Sequence, residues 1–91
     1  MHKTFLISYD LKRPGQSYAD LYEAIKRVGD SRHILESVWL VKVDDATMAR
    51  DVYRAIRPHI IDTERLFIIE VTDQDRQGWL GKSVWAWLRE E

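Results

Sequence analysis

Two short runs of this chain are apolar on both faces that an extended strand presents, and that property most limits the folds open to it. In Phe5-Leu6-Ile7-Ser8-Tyr9, the side chains of Phe5, Ile7 and Tyr9 share one face, and Leu6 and Ser8 share the other with Asp10. The run Ser37-Val38-Trp39-Leu40-Val41-Lys42-Val43 is almost continuously apolar. Strands of this kind are covered on both sides, so both belong in the middle of a sheet. What lies between and after them then sets the topology.

After Asp10, Lys12-Arg13-Pro14-Gly15-Gln16 reads as a loop, because Pro14 restricts Arg13 and Gly15 permits a tight turn. Ser17 is expected to cap a helix, with Asp20 in the capping-box position. Tyr18, Leu21, Ile25 and Val28 recur at helical spacing, and Gly29 ends the helix. The mixed segment Arg32 to Glu36 reads as an edge strand, turning at Glu36-Ser37 into the apolar run. Asp44 and Asp45 are expected to cap a second helix from about Ala46 to Arg57, with Met48, Val52, Ala55 and Ile56 facing inward and Pro58 ending it. Leu66 to Val71 is a fourth strand.

The order strand, helix, strand, strand, helix, strand predicts an α+β ferredoxin-like domain. Its four-stranded antiparallel sheet would carry both helices on one face and strands one and three in the centre. The 91 residues form one domain, with a core over about residues 3–71 and an extension over 72–91. In the extension a polar loop precedes a short helix from about Lys82 to Arg89, and three of the four tryptophans, Trp79, Trp85 and Trp87, lie in it. The fourth strand is too apolar for a bare edge and is expected to be covered by the tail or by a second copy, and the tryptophans either pack over the open sheet face or join a subunit interface of Leu66, Ile68, Trp79 and Trp87.

Fourteen basic and fifteen acidic residues leave a formal charge of -1, which excludes nucleic-acid binding by bulk positive charge and leaves only local contacts. The absence of cysteine excludes disulfides, thiolate nucleophiles and cysteine zinc sites. The apolar stretch after Thr4 is too short for a signal-peptide core or a membrane span, so a cytoplasmic protein with no membrane partner is expected.

Asp10 is the leading site candidate. A carboxylate at the carboxyl end of a central strand, beside Lys12 and Arg13, suits a hard cation such as magnesium whose other ligands are water and phosphate. The alternative is that Asp10 accepts backbone hydrogen bonds and shapes the turn. His33 is a candidate general acid or base, set against an ordinary edge-strand histidine. Lys12, Arg13 and Arg32, with His33, would make a local basic patch for RNA or DNA, set against a solvated charged face. Gly81-Lys82-Ser83 has the last residues of a phosphate-binding loop, but Arg76 stands where that motif needs glycine.

The strand ending Tyr9-Asp10, the helix ending Val28-Gly29 and the run Ser37-Val38-Trp39-Leu40-Val41 resemble, in order and spacing, the CRISPR-associated small ferredoxin-like family. Its members are metal-dependent nucleases or the dimeric scaffold of the spacer-integration complex. The likeness covers roughly residues 3–71. A closer resemblance is to small SinR-like bacterial proteins, through Ile7-Ser8-Tyr9-Asp10-Leu11 with Pro14 and Gly15, His33 ahead of Ser37, and Arg57-Pro58-His59. The chain departs from that pattern at Ser31-Arg32, where aromatic residues are usual. The resemblance to the CRISPR-associated family implies a homodimer in which Asp10 meets its twin to hold magnesium. A virulence-associated toxin family of similar fold is a second nuclease precedent.

Two functions are therefore expected from different classes. One is a homodimeric, nucleic-acid-handling protein of the CRISPR-associated type with magnesium-dependent phosphodiesterase, that is ribonuclease, activity at Asp10. The other is a non-catalytic dimeric interaction module.

Overall fold

The computed structural model describes residues 2–13 and 18–90. The expected Pro14-Gly15 turn and Ser17 cap lie outside the described residues. Four strands are present: β1 (His2–Asp10), β2 (Asp30–Leu35), β3 (Val38–Asp44) and β4 (Arg65–Glu70). Three α-helices accompany them, α1 (Ala19–Val28), α2 (Ala49–Ile56) and α3 (Lys82–Arg89), with a 3-10 turn at Arg57–His59. The sheet is antiparallel throughout in the order β2-β3-β1-β4, so the two doubly apolar runs are its central strands.

Alternation along the strands divides the side chains between two faces. On one face Phe5, Ile7 and Tyr9 of β1 and Trp39, Val41 and Val43 of β3 are buried against Leu21 and Ile25 of α1 and Val52 and Ile56 of α2. The helices α1 and α2 therefore cover the same face. Gly29 lets the chain leave α1 straight into β2, because a Cβ there would run into the Lys42 carbonyl oxygen. Replacing this glycine would push β2 away from β3.

The opposite face is covered at one end only. Trp87 of α3 is 1% exposed, and its ring lies under the Arg32 guanidinium at 4.9 Å and the Lys42 ammonium at 4.6 Å. Its indole N–H donates to Asp30 Oδ2 at 2.8 Å, and Lys42 Nζ donates to its carbonyl. Asp30 pairs with Lys42, and Arg32 pairs with Leu40, across the ladder. The tail thus folds back over the β2–β3 side of the open face, where Leu40, the ladder partner of Arg32, is buried.

Two expectations about α2 are corrected. The helix starts at Ala49 and not at Ala46, because Asp44 Oδ1 accepts from the amides of Ala46 and Thr47 and holds a turn there. The helix start is capped instead by Asp51, whose Oδ2 accepts from the Met48 amide at 2.8 Å. Met48 and Ala55, expected inside, are exposed, and the buried stripe is Val52 and Ile56, continued by Ile60. The helix α1 starts at Ala19, with Tyr18 at the capping position, and the Tyr18 side chain makes no capping hydrogen bond. No helix among the described residues is long and apolar enough to cross a membrane.

Candidate functional site

Asp10 is the last residue of β1 and pairs with Arg65 of β4. Counting by twos from Thr4, Leu6 and Ser8, it stands on the open face. Its side chain is 63% exposed, and Lys12 Nζ lies 3.2 Å from Oδ2. No group of three or more His, Asp or Glu able to hold a metal ion occurs among the described residues. One chain therefore contributes a single carboxylate already neutralised by a lysine, and by itself does not fit a magnesium site.

The residues expected to form a basic patch are not brought together. Arg13 is clamped to Glu64, with Nε 3.0 Å from Oε2, donates to the His59 carbonyl at 3.0 Å, and lies over the Tyr18 ring at 5.2 Å. Arg32 is held on the open face by Asp30 at 2.8 Å and by the Trp87 ring. His33, its neighbour on β2, points the other way and stacks on Trp39 with ring centres 4.3 Å apart. Tyr22 meets His33 edge-on at 5.2 Å, and the histidine Nε2–H donates to the Glu36 carbonyl at 2.9 Å. Of the basic residues proposed for phosphate, only Lys12 lies beside Asp10. The segment before Gly81 is irregular and not a strand, which removes the structural setting of a phosphate loop.

A cleft of about 340 Å³ lies next to Asp10 on the helix side of the sheet end, lined by Tyr9, Leu11, Tyr18, Tyr22, Glu36 and Ser37 together with Asp10. Tyr9 is buried, and its hydroxyl accepts from Trp39 Nε1 at 3.0 Å. Burial pushes the Tyr9 phenol up to about 12, so it stays neutral under ordinary conditions. The Tyr18 hydroxyl donates to the Arg13 carbonyl at 2.9 Å and accepts from the Arg13 amide at 3.2 Å, which ties the β1 loop to α1.

The residues expected at an interface divide sharply. Leu66 and Ile68 pack inward against the core, and Trp87 is buried by its own chain. Trp79 is 99% exposed. The apolar side chains that β4 leaves on the open face are Phe67, 62% exposed, and Ile69, 44% exposed. The ladder places Phe67 beside Ser8, Ser8 beside Val38, and Val38 beside Leu35, which is 55% exposed. This row crosses the sheet next to Asp10, at the end that α3 leaves bare. Its signal in the sequence is the strand period itself, since Phe67 and Ile69 alternate with Leu66 and Ile68.

Glu64 is the residue that sequence reasoning passed over. It is 4% exposed and accepts from the Lys12 amide at 2.9 Å, the Ile61 amide at 3.0 Å and the Arg13 guanidinium. Burial alone would raise its pKa, but these donors hold it below the usual carboxylate range. It fastens the loop after Asp10 to the segment before β4. No family model, characterised protein or solved structure matches the chain.

Proposed function

We propose that this chain is a ferredoxin-like protein of the CRISPR-associated small type that works as a homodimer, with the bare end of the open sheet face as its association surface. The observation that carries this reading is the row Leu35, Val38, Ser8 and Phe67, with Ile69 behind it, beside the exposed Asp10. An edge strand with two large apolar side chains in water invites a partner surface. Two copies stacked face to face over this end would cover both rows. The interface side chains on β4 would then be Phe67 and Ile69, in place of Leu66 and Ile68.

Within such a dimer the reading as a nucleic-acid-handling phosphodiesterase has specific support, because Asp10 stands on the same face as the row. Face-to-face stacking would bring two Asp10 carboxylates towards each other. Magnesium held there would supply charge stabilisation at a phosphate. Lys12, released from Asp10, would hold the backbone of RNA or DNA. Without that chemistry the same dimer is a non-catalytic interaction module.

Two experiments separate these levels. Phe67→Asp puts a charge on the bare face at an exposed position, so it is expected to convert a dimer to a folded monomer in sedimentation velocity; an unchanged dimer removes this surface. Asp10→Ala is expected to abolish magnesium-dependent cleavage of RNA or DNA while the protein stays dimeric. Equal cleavage by the variant would dismiss Asp10, and no cleavage by either protein would leave the interaction module as the function.

A further inference from the structure

We propose that the cleft between the β2–β3 turn and the start of α1 binds an organic ammonium or guanidinium group, seated against tyrosine rings and neutralised by Glu36. The site lies on the helix side of the sheet and does not depend on the dimer.

The lining sets the ligand class. Tyr9, Tyr18 and Tyr22 supply aromatic surface, Glu36 supplies a carboxylate with no ion partner among the described residues, Asp10 at the edge is already paired with Lys12, and no cationic side chain is among the described lining residues. Aromatic rings and carboxylates together favour a cation with an apolar body. An anion would meet the Glu36 carboxylate with no cationic side chain among the described lining residues to offset it. A neutral apolar ligand would strip water from the Glu36 carboxylate without compensation. A bare hard metal ion prefers more oxygen ligands than two carboxylates provide, and tyrosine rings offer it nothing in place of water.

The chain's own cations show the same chemistry at the rim of the cleft. Lys12 sets an ammonium 3.2 Å from the Asp10 carboxylate, and Arg13 sets a guanidinium 5.2 Å from the Tyr18 ring centre. Both cations are committed. Glu36 has no cation within 4.0 Å among the described residues, although its backbone carbonyl is held by His33 and the neighbouring Ser37 carbonyl by the Tyr9 amide. It is a fixed turn with an uncompensated charge at the mouth of an aromatic cleft. A volume of about 340 Å³ admits a primary amine or an arginine side chain with part of its stem.

The natural donor is either a free polyamine or a basic side chain on a peptide, and two probes distinguish them. The readout is the indole N–H resonance of Trp39 in a nitrogen-labelled sample, because that group donates to Tyr9, which lines the cleft. Spermidine and acetyl-Gly-Arg-Gly amide are titrated separately, with inorganic phosphate as the anion control. Saturable shifts are expected with at least one cation at a Kd of about 1 mM or below. Glu36→Gln is expected to weaken binding about fivefold, the factor a unit charge at about 4 Å is worth in water. Glu36→Lys is expected to abolish it. Glu36 is an exposed turn residue, and an unaltered Trp39 resonance in the free variants checks that they fold. No saturable shift with either cation, an equal response to phosphate, or undiminished binding by both variants would overturn the proposal.

Discussion

Replacing Trp87 with alanine is expected to lower the unfolding free energy by about 3–5 kcal/mol, the usual cost of deleting a fully buried large aromatic side chain. The side chain is 1% exposed, and it is the only tryptophan of the tail that is buried. Its removal leaves Arg32 and Lys42 without the ring they lie against. For a domain whose whole stability is about 5–15 kcal/mol, that is a large fraction. Phe in its place keeps most of the apolar contact and loses the N–H donated to Asp30, a change of about 1 kcal/mol. Trp79→Ala provides the contrast: its side chain is 99% exposed, so the change should fall within about 0.5 kcal/mol. Urea denaturation of the three variants measures the series, and equal losses for Trp79 and Trp87 would refute the packing of α3.

The second large effect is expected at Glu64. Alanine there leaves the Arg13 guanidinium only the His59 carbonyl and the Lys12 and Ile61 amides without their acceptor, in a place water reaches poorly. Breaking a buried pair from one side costs about 3–5 kcal/mol. Arg13 is itself partly exposed, which places Glu64→Ala at about 3 kcal/mol. Glu64→Gln keeps an acceptor oxygen and should lose less. The acid dependence carries the sign of a depressed carboxylate. Its contribution is fully present above the unfolded value of about 4.3 and is lost as pH falls through the lower folded value. Wild type should therefore lose stability more steeply below about pH 4 than Glu64→Gln does. Parallel curves for the two proteins would show that Glu64 contributes nothing through its charge.

The central part of the fold was legible because a strand apolar on both faces has few places to go. Phe5 to Tyr9 and Val38 to Val43 could sit only between other strands, and the order β2-β3-β1-β4 follows. The limits of α2 were not legible, because Asp44 and Asp45 look like caps in sequence. Only the fold shows that Asp44 holds a turn three residues earlier while Asp51 caps from within. The tail posed the same difficulty in a sharper form. Trp79 and Trp87 are the same residue type eight positions apart, and nothing local says that one is buried and the other wholly in water. That division depends on Asp30, Arg32 and Lys42, brought together by a strand pairing distant in sequence.

The candidate site was legible in one residue and obscured in the rest. Asp10 was marked by its place at the end of an apolar run, and it is exposed there. Arg13 and Arg32 read as free charge because their partners, Glu64 and the Trp87 ring, lie 51 and 55 residues further along the chain. The glutamate gives no warning in a stretch of alternating polar residues, yet it fixes the loop that follows Asp10. In sequence Leu66 and Ile68 read as interface residues although they pack inward, because a run of four apolar residues does not say which alternate pair the core takes.

Sedimentation velocity on the wild-type chain and on Phe67→Asp decides whether the bare sheet face joins two copies. A wild-type species of twice the chain mass is expected, and a folded monomer in the variant. A wild-type monomer throughout the micromolar range, or a variant that remains dimeric, would contradict it.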